Sequence, residues 1–300
     1  MTANRTSPTA QATALTIGFI GAGRLAQTLA LALEQRTAHR IRHVASRRLS
    51  SAQTMANQLQ HCHADDSPQT IAEHCDLVFI TTPDDTIAGV SNTVRWRTGQ
   101  YVVHCSGAND LSVLQGVHAY AAHPGSFHPM QAFGDNPRTA LATLTGCTIA
   151  VDAATPLDDV LHDMAQQLQC HSLTLPPQAR ALYHASGNYA AQHIHVLLAE
   201  AAKFWTSWGA TEAQALQALL PLLKGTIAAL ENGDIAKNMP GPISRGDVQT
   251  VVKHLQAIHT IDADSAALYR QLGKAATTLA KHANKIDETA ASALYQVLDK

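Results

Sequence analysis

Apolar residues follow two rhythms along this 300-residue chain. From about residue 15 to 175, short apolar runs alternate with stretches of helical period. The runs are LTIGFI (15–20), HRIRHVA (39–45), LVFITT (77–82), YVVHC (101–105), GCTIAV (146–151) and HSLTL (171–175). RLAQTLALALEQ (24–35) and LDDVLHDMAQQL (157–168) are typical of the helical stretches between them. Strands that alternate with helices predict an α/β domain, a mostly parallel sheet with helices on both faces. Pro176-Pro177 closes this half, since proline ends a strand and opens a helix. From 178 to 300 the chain is rich in Ala, Leu and Gln, has helical period, and carries almost no strand signal. This texture predicts one long, mostly buried helix over 179–208 and another over 211–231. A Gly-Pro-rich interruption follows at 238–247, then helices at 248–258 and 264–284. The expected division is a loose, disordered tail over 1–14, a sheet domain over 15–176 and an all-helical domain over 177–300.

Composition removes several function classes. The formal net charge of -2 leaves no basic excess for nucleic-acid phosphates, and no Lys/Arg-rich run is present to hold a membrane surface. The opening MTANRTSPTAQATA lacks the apolar core of a signal peptide, and no apolar run is expected to approach membrane-spanning length. Cys62, Cys75, Cys105, Cys147 and Cys170 are scattered without a CxxC pair. They read as reduced thiols of a cytoplasmic protein, not as a disulfide framework.

Gly21-Ala22-Gly23-Arg24-Leu25-Ala26 fits G-x-G-x-x-[GA], with a strand before it and a helix after it. Gly21 permits the tight turn, Gly23 lets backbone approach a pyrophosphate, and small Ala26 lets the helix pack close on the strand. The helix N-terminus then offers N–H groups to the anion, so Gly21, Ala22, Gly23, Arg24 and Leu25 are expected to hold a dinucleotide. The end of the second strand selects which one. An acid there would bind an NAD ribose. The chain instead reads VASRRLSS (44–51), and Ser46, Arg47 and Arg48 suit the 2′-phosphate of NADP. TTPDD (81–85) and HCSGA (104–108) end two further strands, where ligands bind in open α/β sheets. Thr82, Pro83 and Ser106 are therefore expected beside the nicotinamide ribose, while Cys105 reads as a small core residue.

GFIGAGRLAQTLA, SRR, ITTPDD, HCSGA, GSFHPMQAF, YHASGN and GPISRGD, in this order, resemble a family that joins a Rossmann-like NADP-binding half to a helical domain of unknown function (DUF). That family is similar to pyrroline-5-carboxylate reductases and, more distantly, to beta-hydroxyacid and prephenate dehydrogenases. The resemblance implies a reductase or dehydrogenase whose helical half dimerises and covers the nicotinamide. It names no substrate.

Hydride transfer needs a proton donor or acceptor beside the cofactor, and a histidine titrating near pH 6.5 is easily tuned to that role. Two histidines compete. His128, in GSFHPMQAF (125–133), reads as a turn residue fixed by Pro129 and looks like the G-x-H-P-M stretch of prephenate dehydrogenases, with Phe127 as one extra residue. Ser126 and Gln131 flank it as substrate contacts. Arg180, His184 and Asn188 follow at i, i+4 and i+8, on one face of a helix, and Arg180 is expected to contact the substrate. His184 and Asn188 match the Lys and Asn that beta-hydroxyacid dehydrogenases present there, with histidine in place of lysine. In GPISRGD (241–247), Arg245 is expected to take a substrate carboxylate, and Asp247 to cap the following helix. HCHADD (61–66) reads as a loop rather than a metal site, because no further ligand stands at a recognisable spacing. No G-x-S-x-G or Tyr-x-x-x-Lys occurs, which excludes the serine-hydrolase and short-chain-dehydrogenase readings. The expectation is an NADP-dependent oxidoreductase acting on a small, acidic imine, keto or hydroxy compound. The rival is an NADP-binding sensor or scaffold without activity.

Overall fold

A computed structural model describes residues 14–231 and 233–300. The tail expected over 1–14 therefore lies, but for Ala14, outside the described residues. Eight strands form one sheet: β1 (Thr16–Ile20), β2 (Arg40–Ala45), β3 (His63–Asp65), β4 (Leu77–Ile80), β5 (Tyr101–His104), β6 (His123–Pro129), β7 (Thr148–Ala153) and β8 (His171–Thr174). Their order is β3-β2-β1-β4-β5-β6-β7-β8. Every pairing is parallel except β6 with β7, where Gly125 to Pro129 face Ala153 to Ile149 in reverse. Helices α1 (Arg24–Arg36), α2 (Leu49–Ala56), α3 (Pro68–His74), α4 (Ile87–Thr93), α5 (Gln115–His118), α6 (Pro137–Leu144) and α7 (Leu157–Gln167) connect the strands.

The continuous apolar runs of β1 and β4 are explained by burial on both faces. Ile17, Phe19, Leu77 and Phe79 join a core with Leu29, Leu33, Met55, Leu161 and Met164 on one side. Ile20, Val78 and Ile80 join a second core with Ile71, Ile87 and Trp96 on the other. The mostly parallel sheet with helices on both faces is thus what the alternation predicts.

Two strands were hidden. HCHADD is not a loop throughout, since His63–Asp65 adds β3 to the edge beside β2. GSFHPMQAF is not a turn up to Pro129. His128 lies in β6, opposite Ala150. Pro124 and Pro129 and the polar Ser126 and His128 disguise the strand. Its buried Phe127, tilted against Phe79 at 5.9 Å between ring centroids, commits it to the core.

Packing divides the chain into two units, one ending at Tyr189 and the other starting at Ala190. The division falls later than the Pro176-Pro177 boundary. The helix α8 (Arg180–Ala190) packs with the sheet, to which buried Arg180 ties it through Ser126 and Asp152. The long helix expected over 179–208 is two helices, α8 and α9 (Gln192–Thr206), separated at Ala191, whose φ of -119° and ψ of -75° leave helical geometry. Nor is it mostly buried: Arg180 and Ala202 are its buried residues.

The second unit continues with α10 (Glu212–Glu231), α11 (Val248–Ile261), α12 (Ala263–His282) and α13 (Glu288–Leu298). Its core is small: Ile243, Val251, Leu255, Leu294 and Leu298. Asp247, Asp262 and Asp287 cap the last three helices. One expectation is corrected here. Although Gln and Thr interrupt its apolar run, α10 is long and apolar enough to cross a membrane by length and composition, and almost none of it is buried.

Candidate functional site

Gly21 leaves β1 with φ +115°, a conformation that suits glycine, and donates its N–H to the Ala45 carbonyl at 2.8 Å. A Cβ at this position would lie 2.6 Å from the Thr81 carbonyl oxygen. Helix α1 then begins at Gly23 with no side-chain cap and no acid in its first turn. Its leading N–H groups and dipole are left for an anion. A Cβ on Gly23 would meet no atom within 4 Å, whereas Ala26 is fully buried against the sheet.

In front of this turn opens a cavity of about 950 Å³, in the upper range for ligand pockets. All eleven residues assigned from sequence to the dinucleotide line it: Gly21 to Leu25, Ser46 to Arg48, Thr82, Pro83 and Ser106. Arg47 and Arg48 are exposed and pair with no carboxylate among the described residues. Exposed Arg24 pairs with Asp135 of the β6–β7 connection. Thr82 Oγ1 is buried without a hydrogen-bond partner among the described residues. An open pyrophosphate-sized turn, two free guanidiniums and an orphaned hydroxyl fit a phosphorylated dinucleotide. Asp66 and Asp84 also line the cavity and escaped the sequence reading. Ser106 is occupied by structure: it donates to Asp84 Oδ2 at 2.7 Å and accepts from the Asn109 N–H at 3.0 Å, which shapes the loop after β5. Cys105 is the core residue expected, although it borders the cavity, and burial pushes its thiol up.

That loop leads into a second cluster. A Cβ on Gly107 would lie 2.7 Å from His128 Nε2 and 2.8 Å from His184 Cδ2, so the missing side chain is what lets both imidazoles close on the loop. The two rings stand edge to face, 6.0 Å apart. His128 Nδ1 is 3.1 Å from the Tyr183 hydroxyl. Burial, followed by His184 and Arg180, lowers His128 to about 4, and burial chiefly raises Tyr183 to about 12. At neutral pH His128 is therefore an uncharged imidazole facing a protonated phenol. The pairing needs two elements: β6 puts Ser126 and His128 on one face, and α8 turns Arg180, Tyr183, His184 and Asn188 to one side.

Arg180 has a different setting from the substrate contact its spacing suggested. It is 1% exposed, and Nη2 reaches Ser126 Oγ at 2.9 Å and Asp152 Oδ2 at 3.2 Å. Ser126 faces His104 on β5 and Asp152 on β7, so one row across three strands lies beneath this guanidinium. Arg180 Nε and Nη1 and His104 Nε2 are buried with no partner among the described residues. His104 Nδ1 accepts from the Ser106 N–H at 3.1 Å, so its proton sits on Nε2. The orphaned atoms are all donors. Burial and then Arg180 lower His104 to about 4. His104 and Tyr183 were missed in the sequence. The clue for Tyr183 was its place in the helical stripe, three residues after Arg180. Gln131 turns away: its amide donates to the Thr143 carbonyl at 2.6 Å. In the second unit Arg245 is exposed, and Asp247 caps α11 by accepting from the Thr250 N–H at 3.0 Å, as expected.

The chain is similar to known proteins in the same two parts. A Rossmann-like domain family matches residues 1–129, and a domain of unknown function, DUF2520, matches residues 147–276. No curated protein matches the chain in sequence. Among solved structures, a Bacteroides fragilis protein described as an NADP oxidoreductase has a TM-score of 0.72 at 22% identity, over 88% of this chain and 98% of its own. The 1-pyrroline-5-carboxylate reductase of Streptococcus pyogenes has 0.59 at 16%, over 96% and 98%. A reductive aminase from Aspergillus terreus, in complex with NADPH and ethyl-5-oxohexanoate, has 0.62 at 12%, over 96% and 93%. At these identities the likeness is one of fold.

Proposed function

For a chain that joins a Rossmann-like domain to a DUF2520 domain, we propose an NADP(H)-dependent oxidoreductase acting on a small, acidic imine, keto or hydroxy compound. One observation carries the reading: a single cavity gathers every residue that the sequence assigned to the dinucleotide. The bound nicotinamide supplies or takes the hydride. The first-turn N–H groups of α1 hold the pyrophosphate, and Ser46, Arg47 and Arg48 hold the 2′-phosphate. Thr82 donates its orphaned hydroxyl to the nicotinamide half.

His128, uncharged at neutral pH, exchanges one proton with the substrate at Nε2 while Tyr183 holds Nδ1. His184 closes the opposite side of Gly107 and is the second proton carrier, and Asn188, one turn on, orients the reacting group. Arg245 takes the acidic group of the substrate. The helical unit pairs with a second copy, which would cover Leu222, Ile227 and Leu230 of α10, now exposed. The free cysteines fit a cytoplasmic setting.

The first test is a thermal-shift titration with NADPH, NADP, NADH and NAD, because a ligand of the native state raises its melting point. A shift with the phosphorylated pair alone is expected. No shift with any of the four overturns the assignment. NADPH oxidation across imines, keto acids and hydroxy acids then follows, with His128→Ala and His184→Ala as controls. An activity that neither substitution lowers removes the catalytic roles. Light scattering that finds only monomer removes the pairing.

A further inference from the structure

Two of the five cysteines meet in the fold. Cys147 stands immediately before β7 and Cys170 immediately before β8, and Thr148 opposite His171 makes their predecessors neighbours. Each follows a left-handed turn residue, Gly146 at φ 78° and Gln169 at φ 60°. The Gly146 N–H donates to the Gln169 carbonyl at 2.8 Å, which holds the two turns side by side. The sulfurs are 3.8 Å apart, and the Cys147 thiol points at the Cys170 sulfur. Both residues are half-buried, whereas Cys75 and Cys105 are buried.

Their surroundings make the two sulfurs unequal. The hydrogen donated by Cys147, and then the Arg36 guanidinium, hold Cys170 below the usual thiol range against the opposing effect of burial. Arg36 is fixed there by the Leu168 carbonyl at 2.8 Å and the Leu141 carbonyl at 3.3 Å. A thiolate, not a thiol, attacks an oxidant; Cys170, which accepts from Cys147, is the attacking sulfur once it gives up the proton it donates to the Leu144 carbonyl at 3.2 Å, and Cys147 is the resolving one.

We propose that Cys147 and Cys170 form an oxidisable pair that closes to a disulfide on meeting a hydroperoxide. The Cys170 thiolate attacks the outer peroxide oxygen. The O–O bond breaks, the remaining oxygen leaves as water or an alcohol after taking a proton, and Cys170 becomes a sulfenic acid. The Cys147 sulfur then attacks the Cys170 sulfur. The S–O bond breaks, and the hydroxyl leaves as water with the Cys147 proton. Two thiols lose two electrons and two protons, and the peroxide is reduced by two electrons. The sulfurs need to approach by only about 2 Å.

The test uses the full chain, treated with hydrogen peroxide and then alkylated, and does not depend on the oxidoreductase reading. The oxidised protein is expected to lose two of its five alkylable thiols. Non-reducing peptide mapping should find Cys147 joined to Cys170, with dithiothreitol reversing the link. Cys147→Ser should stop at a Cys170 sulfenic acid that dimedone traps. Cys62→Ser should still form the link. A different cysteine pair, or a wild-type Cys170 that passes to sulfinic acid without a linked peptide, overturns the pair.

Discussion

The cavity at the head of α1 takes its anion-facing residues from one unbroken stretch, Gly21 to Leu25, and opens to solvent. The histidine cluster takes His104, His128, Gly107 and Tyr183 from β5, β6, a loop and α8, burying His104 and Gly107 and half-burying His128 and Tyr183. The two meet across Cys105, Ser106 and Gly107, three consecutive residues. The cavity is built to receive charge: free N–H groups, unpaired arginines and an orphaned hydroxyl. The cluster is built to exclude it, because its neighbouring cation and its burial keep His104 and His128 neutral. On the proposed reading, binding and proton transfer fall in different dielectric surroundings within one loop's length. This follows from elementary electrostatics, since a phosphate needs partners and a proton carrier needs a tunable pKa.

Substitutions should separate the two regions. His128→Ala is expected to have the largest effect, a fall in turnover of about 10²–10⁴-fold with NADPH affinity unchanged. Steady-state kinetics beside calorimetry would read both, and a matching loss of affinity would mean that the regions are one. Gly21→Ala should do the reverse. The added Cβ presses on the Thr81 carbonyl at a φ that alanine resists. Strain of about 1–3 kcal/mol corresponds to roughly 5–140-fold weaker NADPH binding, provided circular dichroism shows the fold intact. Removing Arg47 and Arg48 together should weaken NADPH at least about tenfold and leave NADH untouched; equal losses for both nucleotides would contradict a 2′-phosphate contact.

The smallest effect is on stability. His104 and His128 have folded values of about 4, below the unfolded 6.5, so the native state binds fewer protons than the unfolded state between those values. Stability is full above about pH 6.5 and is lost as the pH falls toward 4. Each histidine should withdraw about 1 kcal/mol between pH 7 and 5.5. Urea melts at the two pH values, with His104→Gln as reference, would detect it, and an unchanged difference would show that these rings are not buried neutral.

The difference in legibility follows the same line. GAGRLA could be read because the turn lies in consecutive residues and its neighbours are strongly patterned. The strands of β1, β4 and β5 were plain because burial on both faces makes them apolar throughout. β6 was not, since prolines and alternating polar residues conceal a strand whose polar face lies under α8. Tyr183 and His104 depend on register between strands and on which helix covers them, and no local pattern encodes either. The same holds for Cys147 and Cys170, which look scattered until β7 and β8 are aligned. The helix α13 was missed although Asp287 announces its cap and its apolar residues keep helical spacing.

The reversed pairing of β6 and β7 has a topological consequence. Strands β1 to β6 all leave the sheet at the rim where the cavity opens. Because β7 turns back, it and its parallel neighbour β8 enter at that same rim. The rim therefore receives two arriving segments that an all-parallel sheet would have sent to the far edge. One carries Asp135, which reaches Arg24 at the head of α1, and the other carries Cys170 to Cys147, beside Arg36 at the tail of that helix. A single change of direction has made one end of the sheet the place where the chain's later segments gather.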